Sequence, residues 1–324
     1  MVPSLTIAIP VFERTFGFEE ALESALAVKG CNEIVVVDDL SSHCEFSQIC
    51  AAKKDSRIRY VKNVENLGLF GNWNQCASLA SGDFVAILCS DDVISPDIYS
   101  WFQEAIIHMP DLDVFFGAFG VFSTSVSQAR IFRSYPTGPV SSQKLLEDAI
   151  VLGVAFPVLS VIRKTKLLEF PFISKPHSGN DWLWIYSNAS FFKLFADSRP
   201  LSFWRRHPKQ DSKTSVSITT DCWPLMYSEI SNQLRKYDSD KSRRADEKSK
   251  GVILSWLLND KNRKGYYRER LLGPEAVGNP FLCKAKSIVD QNWLLSGLLT
   301  AGIMRPFYYN LGRLFRKLKI YPSY

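Results

Sequence analysis

Two pairs of adjacent carboxylates are the first candidates for chemistry. The stretch ILCSDDVISPD (Ile87–Asp97) passes from apolar residues directly into Asp91 and Asp92, and EIVVVDD (Glu33–Asp39) ends in Asp38 and Asp39. Neighbouring carboxylates repel unless a cation lies between them. Hard oxygen ligands suit Mg²⁺ or Mn²⁺, which bind through one or two carboxylates and leave other positions to water or phosphate oxygens. Each pair follows a run that reads as a strand. In open α/β sheets ligands bind beyond the carboxyl ends of the strands, so both pairs can line one crevice. A simpler use stays open for Asp91, which can cap the helix beginning near Pro96 or sit in a solvated turn.

The elements that must position these pairs alternate along the chain. LTIAIPVF (Leu5–Phe12) is a short apolar run with β-branched residues, and Phe16–Val28 then places Phe18, Ala21, Leu22, Ala25 and Leu26 on one helical face. EIVVVDD suits a strand buried on both faces, and RIRYVKN (Arg57–Asn63) follows a further helical stretch. Phe70–Ala80 reads as a helix leading through the turn Ser81–Asp83 into the strand FVAILC. A βαβαβαβ order predicts a mostly parallel central sheet covered by helices. Beyond it the alternation fades. Trp223–Leu234 and Gly251–Leu258 read as amphipathic helices joined by the charged linker Tyr237–Lys250. The expected organisation is an α/β domain over residues 1–217 and a helical C-terminal region over residues 218–324.

Composition narrows the class. The 324 residues are 46% hydrophobic, enough for a sizeable core, and carry a formal charge of +6. Five of those charges, Arg305, Arg313, Arg316, Lys317 and Lys319, sit in the last stretch of chain without an acid among them. The rest is almost neutral, which argues against a nucleic-acid-binding surface. Seven cysteines without a CxxC pair, and no apolar leader after Met1, point to reduced thiols in a cytoplasmic protein. Trp293–Met304 has 12 uncharged residues, fewer than the roughly 20 needed to cross a bilayer. On a helical wheel, Phe307, Leu311, Leu314, Phe315 and Leu318 share one face and the cations occupy the other. That pattern suits a helix lying on an anionic membrane surface, or one docked on the α/β domain with its lysines in water.

Six motifs in order, IAIPVFER, VVVDDLSS, ENLG, SGDFVAILCSDDVISPD, SGNDWLW and FWRRHPKQDS, resemble those of the inverting family 2 glycosyltransferases. The resemblance runs from about Leu5 to Ser217. It implies the GT-A (nucleotide-diphospho-sugar transferase) fold, a nucleotide-sugar donor, a divalent cation and a glycan or lipid-linked acceptor. Residue by residue, it implies that Pro10 and Phe12 line the nucleobase pocket, that Asp38 or Asp39 accepts a base hydrogen bond, and that Asn66 adds a nucleotide contact. Asp91 and Asp92 match the metal and ribose segment. Arg206 and His207 match positions that meet the diphosphate or the metal, and Asp181 matches the catalytic base. Three departures stand out. Cys89 occupies the first position of a motif that often reads Asp-x-Asp-Asp, Trp73 stands where arginine is frequent, and Asn180 replaces an acid before the base.

The implied chemistry is coherent. Inverting transfer needs a carboxylate to take the acceptor proton on the side opposite the departing diphosphate, and a cation, helped by Arg205, Arg206 or His207, to stabilise the charge that leaves. Asp181 also has a simpler use as the N-cap of the helix Trp182–Ala189. Phe115, Phe116 and Phe119 read as core rather than as sugar platforms. The expected protein is a metal-dependent inverting transferase, UDP- or dTDP-sugar favoured, peripheral on the inner face of the plasma membrane and acting in envelope polysaccharide synthesis. The alternatives are a non-catalytic nucleotide-sugar-binding protein and a sugar-nucleotide nucleotidylyltransferase. No GxGxR loop lies near Pro10 to support the latter, and no GxGxxG follows the first strand to support a dinucleotide oxidoreductase.

Overall fold

The computed structural model describes residues 3–259, apart from 44, 154, 158, 174–178 and 209–215, together with residues 283, 286, 287, 290 and 291. The chain forms two compact units that interleave in sequence: Met1–Ser142, Phe156–Ser174 and Phe191–Gln210 in the first, and Gln143–Ala155, Lys175–Ser190 and Asp211–Tyr324 in the second. The basic stretch Phe307–Tyr321 and the apolar run Trp293–Met304 lie outside the described residues.

The first unit opens with the expected alternation: β1 (Leu5–Val11), α1 (Phe18–Ala27), β2 (Glu33–Asp38), α2 (Glu45–Ala52), β3 (Ile58–Lys62), α3 (Gly68–Leu79) and β4 (Phe84–Ile87). It continues with β5 (Val93–Ile94), α4 (Ile98–His108), β6 (Val114–Phe122), β7 (Arg130–Arg133) and β8 (Gly138–Val140). After α5 (Ser142–Leu152) come β9 (Val161–Arg163) and α6 (Lys164–Glu169), and after α7 (Asn180–Asn188) comes β10 (Leu194–Arg205). One sheet runs in the order β3-β2-β1-β4-β9-β6-β10-β5, with β7 beside β6 and β8 beside β10. The β3-β2-β1-β4 half is parallel, as is β6 with β10. β9 enters antiparallel between the two halves, and β5 lies antiparallel on β10.

Periodicity explains why these segments fold as they do. Phe18, Ala21, Leu22 and Ala25 of α1 are buried in one core with Leu5, Ile7 and Ile9 of β1, Ile34 and Val36 of β2 and Phe102 of α4. Each large side chain withdrawn from water contributes about 1.5–3 kcal/mol before conformational entropy is subtracted. Pro10 is tolerated inside a strand because β4 pairs β1 only as far as Ala8, so no ladder partner asks for its missing N–H. Phe115, Phe116 and Phe119 are core residues, as their run suggests.

In the second unit, α7 is joined by α8 (Val216–Leu234) and α9 (Ser239–Asn259). The boundary expected at residue 217 falls within the first turn of α8. The charged stretch Tyr237–Lys250 is not the linker expected from its polarity: α9 starts inside it. Asp238 is the N-cap, its carboxylate accepting the Lys241 N–H at 2.9 Å. Arg243 pairs with Asp240 and Glu247 at 3.2 and 3.6 Å, the spacings that support a polar helix. The buried stripe over the charged first turns of α9 is small rather than greasy. Ser242, Ala245 and Ser249 are buried, and Ser242 meets Ser231 of α8 hydroxyl to hydroxyl at 3.0 Å.

Candidate active site

Pairing of β5 with β10 assembles the centre of the site. Val93 stands opposite Phe203, so the residues just before β5 lie beside those that end β10, more than a hundred positions later. Asp92 Oδ1 accepts the Arg205 N–H at 2.9 Å, and Arg205 Nε donates to the Asp91 carbonyl at 2.8 Å. Past this clasp, His207 Nε2 and Asp91 Oδ2 meet at 2.9 Å.

The two aspartates therefore differ. Asp92 is 7% exposed, and burial, then the charge of Asp91, pushes its carboxyl well above the usual range. The side chains of Asp91 and His207 keep 25% and 11% of their surface. Asp91 and His207, not Asp92, form the accessible pair. The Asp91 carboxylate oxygen suits Mg²⁺ or Mn²⁺, and the His207 imidazole nitrogen suits Mn²⁺ better than Mg²⁺; among the described residues no group of three or more His, Cys, Asp or Glu is placed to hold a metal. Two protein donors suit a cation that takes its remaining ligands from water and phosphate oxygens.

Arg205, one of the three residues offered as a helper at the diphosphate, is not free to meet a phosphate. Its guanidinium bonds Glu20 of α1, lies 4.5 Å from the centre of the Phe122 ring and 5.9 Å from that of Phe16, and is buried. Phe16 in turn lies 5.0 Å from the His207 imidazole. Between them, Gly17 adopts φ 83°, and a Cβ there would stand 2.9 Å from Asp91 Cα. Only glycine combines that dihedral with that approach. Glu20, Phe16 and Gly17 are site residues that sequence reasoning missed, because nothing near them in the chain marks their partners.

The second group lies at the ends of β1 and β2. Val11 pairs with Asp38, and the Asp39 N–H donates to the Val11 carbonyl at 2.9 Å, which sets Phe12 beside the aspartate pair. Phe12 is 48% exposed, whereas Pro10 is buried. Asp38 accepts from the Ser41 N–H at 2.8 Å and the Tyr60 hydroxyl at 2.6 Å. Asp39 accepts from Asn63 Nδ2 at 2.9 Å and from the N–H groups of Leu67 and Gly68 at 2.8 and 2.9 Å, so it holds the start of α3. Exposed Asn66 donates to the Asp39 carbonyl at 3.1 Å. Both carboxylates thus build the floor rather than face outward. Glu13 and Leu40 have φ of 54° and 66°, and Glu13 ties the two loops together through Ser41 and Ser42. Hydrogen bonds from the Ser42 N–H and hydroxyl hold the Glu13 carboxyl below its usual range. Trp73, at the position where an arginine was expected, is packed against Phe70 and Phe172.

Asp181 belongs to the second unit. Gly179, with φ 95°, holds the N-cap position of α7, so Asp181 stands within the first turn and is not the cap. Burial raises its carboxyl to about 6, against the lowering effect of nearby backbone N–H groups. A carboxylate with that affinity suits a general base working near neutral pH. The Arg206 guanidinium lies 3.9 Å from the centre of the Trp204 ring.

A parallel β3-β2-β1-β4 half-sheet with carboxylates at its strand ends and a partly exposed aspartate–histidine pair beyond them are features of the GT-A fold. Residues 6–167, half of the chain, match the family described as Glycosyl transferase family 2, and the chain belongs to that family. It is 36% identical over 97 residues to the succinoglycan biosynthesis protein ExoO of Rhizobium meliloti, which covers 30% of this chain and 28% of that protein. It is 27% identical over 166 residues to WcaA of Escherichia coli strain K12, named for a colanic acid biosynthesis glycosyl transferase, covering 48% of this chain and 56% of WcaA. The chain thus spans about half or less of the length of these relatives. Among solved structures it resembles S. aureus TarS 1-349 in complex with UDP, with a TM-score of 0.58 and 15% identity over 98% of this chain and 92% of that one. At that identity the likeness concerns the fold.

Proposed function

We propose that the protein transfers a sugar, with inversion, from a UDP- or dTDP-sugar to a hydroxyl of a glycan or lipid-linked acceptor in cell-envelope polysaccharide synthesis. The meeting of Asp91 and His207 at 2.9 Å, both partly exposed beyond the strand ends, carries this reading. When bound there, Mg²⁺ or Mn²⁺ offsets the charge of the departing diphosphate. Asp92 and Arg205 hold that pair in place. Phe12 and Asn66 contact the nucleoside, with Pro10, Asp38 and Asp39 shaping the ground beneath it. Asp181, ionised, takes the proton of the attacking hydroxyl. UDP and UDP-GlcNAc complexes of TarS support a uridine donor, and the names of ExoO and WcaA support the polysaccharide setting. The basic, amphipathic sequence of residues 307–321 supports a cytoplasmic enzyme held at the inner face of the membrane.

The test is titration of UDP and dTDP into the protein with and without Mn²⁺, followed by UDP-sugar turnover. Mn²⁺-dependent binding and turnover are expected. Binding without any turnover would leave a nucleotide-sugar-binding protein instead.

A further inference from the structure

β10 ends with its side chains alternating between the two faces of the sheet. Arg205 points to the face that holds Asp91 and Glu20, so Trp204 and Arg206, one residue to either side, share the other face, where indole and guanidinium stack at 3.9 Å. On that face Trp204 pairs across to Val121 of β6, and Val121 pairs in turn to Arg130 of β7. At the bulge beside them Phe132 covers Phe119, with ring centres 5.3 Å apart, and remains 51% exposed. Neighbouring strands lie about 4.8 Å apart, so these three make a shelf about 10 Å across, room for two sugar rings.

The charges on this shelf are unbalanced. Arg57, Arg59, Arg163, Arg199 and Arg205 each meet a carboxylate. Arg206 and exposed Arg130 meet none among the described residues. The Arg206 Nε is buried without a hydrogen-bond partner among the described residues. A partly desolvated cation without counter-charge is costly, and an anionic ligand removes that cost while the indole offers a flat apolar surface to a sugar ring. Arg206 closes the shelf where β10 ends, and the chain passes directly from it to His207, which meets Asp91 on the other face.

We infer that Trp204, Arg206, Phe132 and Arg130 form an acceptor subsite for a sugar bearing an anionic group, either a carboxylate or a phosphate. This rests on the transferase reading, whose acceptor it specifies, and it moves Arg206 from the donor to the acceptor.

Three probes are titrated into the full chain with Mn²⁺ and UDP present: methyl glucuronoside, glucose 6-phosphate and neutral methyl glucoside. One or both anionic probes should bind about tenfold or more tighter than the neutral one, and which of them does so separates carboxylate from phosphate. Arg206→Gln should erase that preference, and Arg130→Gln should reduce it. Trp204→Ala should weaken all three probes, with Trp204→Phe restoring part of the loss. Equal binding of the three probes to a wild-type protein that binds UDP would overturn the subsite alone. A fall in UDP affinity on Arg206→Gln, with the anionic preference intact, would return the guanidinium to the donor diphosphate and also overturn it. Absence of Mn²⁺-dependent UDP binding in the wild type would instead bring down the transferase reading, and the subsite with it.

Discussion

Asp91 and Asp92 are the same residue type side by side, yet their surroundings divide the work between them. Asp92 is spent on the Arg205 N–H and lies in a place where ionisation is disfavoured, whereas Asp91 reaches His207 at the surface. Asp91→Asn and His207→Ala should each weaken Mn²⁺-dependent UDP binding by about tenfold or more while melting near the wild type. Asp92→Ala, which strands the buried Arg205 N–H, should cost about 1–3 kcal/mol of stability, and Asp92→Asn much less. Calorimetric titration with and without Mn²⁺, beside urea unfolding, checks both. If Asp92→Asn rather than Asp91→Asn removes the metal dependence, the division is reversed. Asp181 offers a pH test. Its carboxyl, raised to about 6 by burial, must be ionised to accept a proton, so kcat/KM should climb as pH rises through about 6 and level off above it. Asp181→Asn should lower turnover by about 10² to 10⁴ with donor binding kept. An acid limb near pH 4, or near-normal turnover of the variant, would remove Asp181 from the mechanism.

At the scale of elements, two glycines with similar backbones separate strain from contact. Gly17 and Gly68 have φ of 83° and 73°, but a Cβ on Gly17 would press on Asp91 at 2.9 Å whereas one on Gly68 would meet nothing within 4 Å. Gly68→Ala should therefore cost only the left-handed penalty of about 1–2 kcal/mol. Gly17→Ala should cost more and also weaken Mn²⁺-dependent UDP binding, because the Asp91 backbone has to shift. Equal costs, with no effect on metal dependence, would show that the β1–α1 loop does not brace the Asp91–His207 pair. In the second unit, Asp238→Ala should lower stability by about 1 kcal/mol by removing the cap of α9, read from thermal unfolding.

For the molecule as a whole, the proposed place where it works depends on its terminal basic stretch. No helix among the described residues is long and apolar enough to cross a membrane. Attachment through residues 307–321 would rely on an apolar face and on cations worth about 1 kcal/mol each near an anionic surface. Binding to vesicles rich in phosphatidylserine should fall as salt rises and vanish on deletion of residues 306–324, while neutral vesicles bind poorly. Activity on a short soluble acceptor should survive that deletion, since the residues assigned to donor, metal and base all precede Pro208. Flotation with and without salt reads the first expectation and turnover reads the second. An intact protein that ignores anionic vesicles would remove the membrane assignment.

What the sequence determined by itself is what lies within a dozen residues. The alternation of β-branched runs with Phe18–Ala21–Leu22–Ala25-type faces set the βα order, because a strand's period of two and a helix's of 3.6 are local properties of the backbone. Asp38–Asp39 and Asp91–Asp92 were visible as strand-end carboxylates for the same reason, and the ordered motifs pointed to the family. The charged start of α9 was misread because its support, the Asp238 cap and the stripe Ser242, Ala245 and Ser249, is not hydrophobic. Only the tertiary structure decided that Asp39 holds α3, that Arg205 serves Asp91 and Glu20 rather than a phosphate, and that His207 belongs to Asp91. Each of these depends on a partner tens to more than a hundred residues away, chosen by strand pairing and loop closure. Local periodicity carries no record of which distant strand becomes a neighbour, so the chemistry of each residue was readable before its partner was.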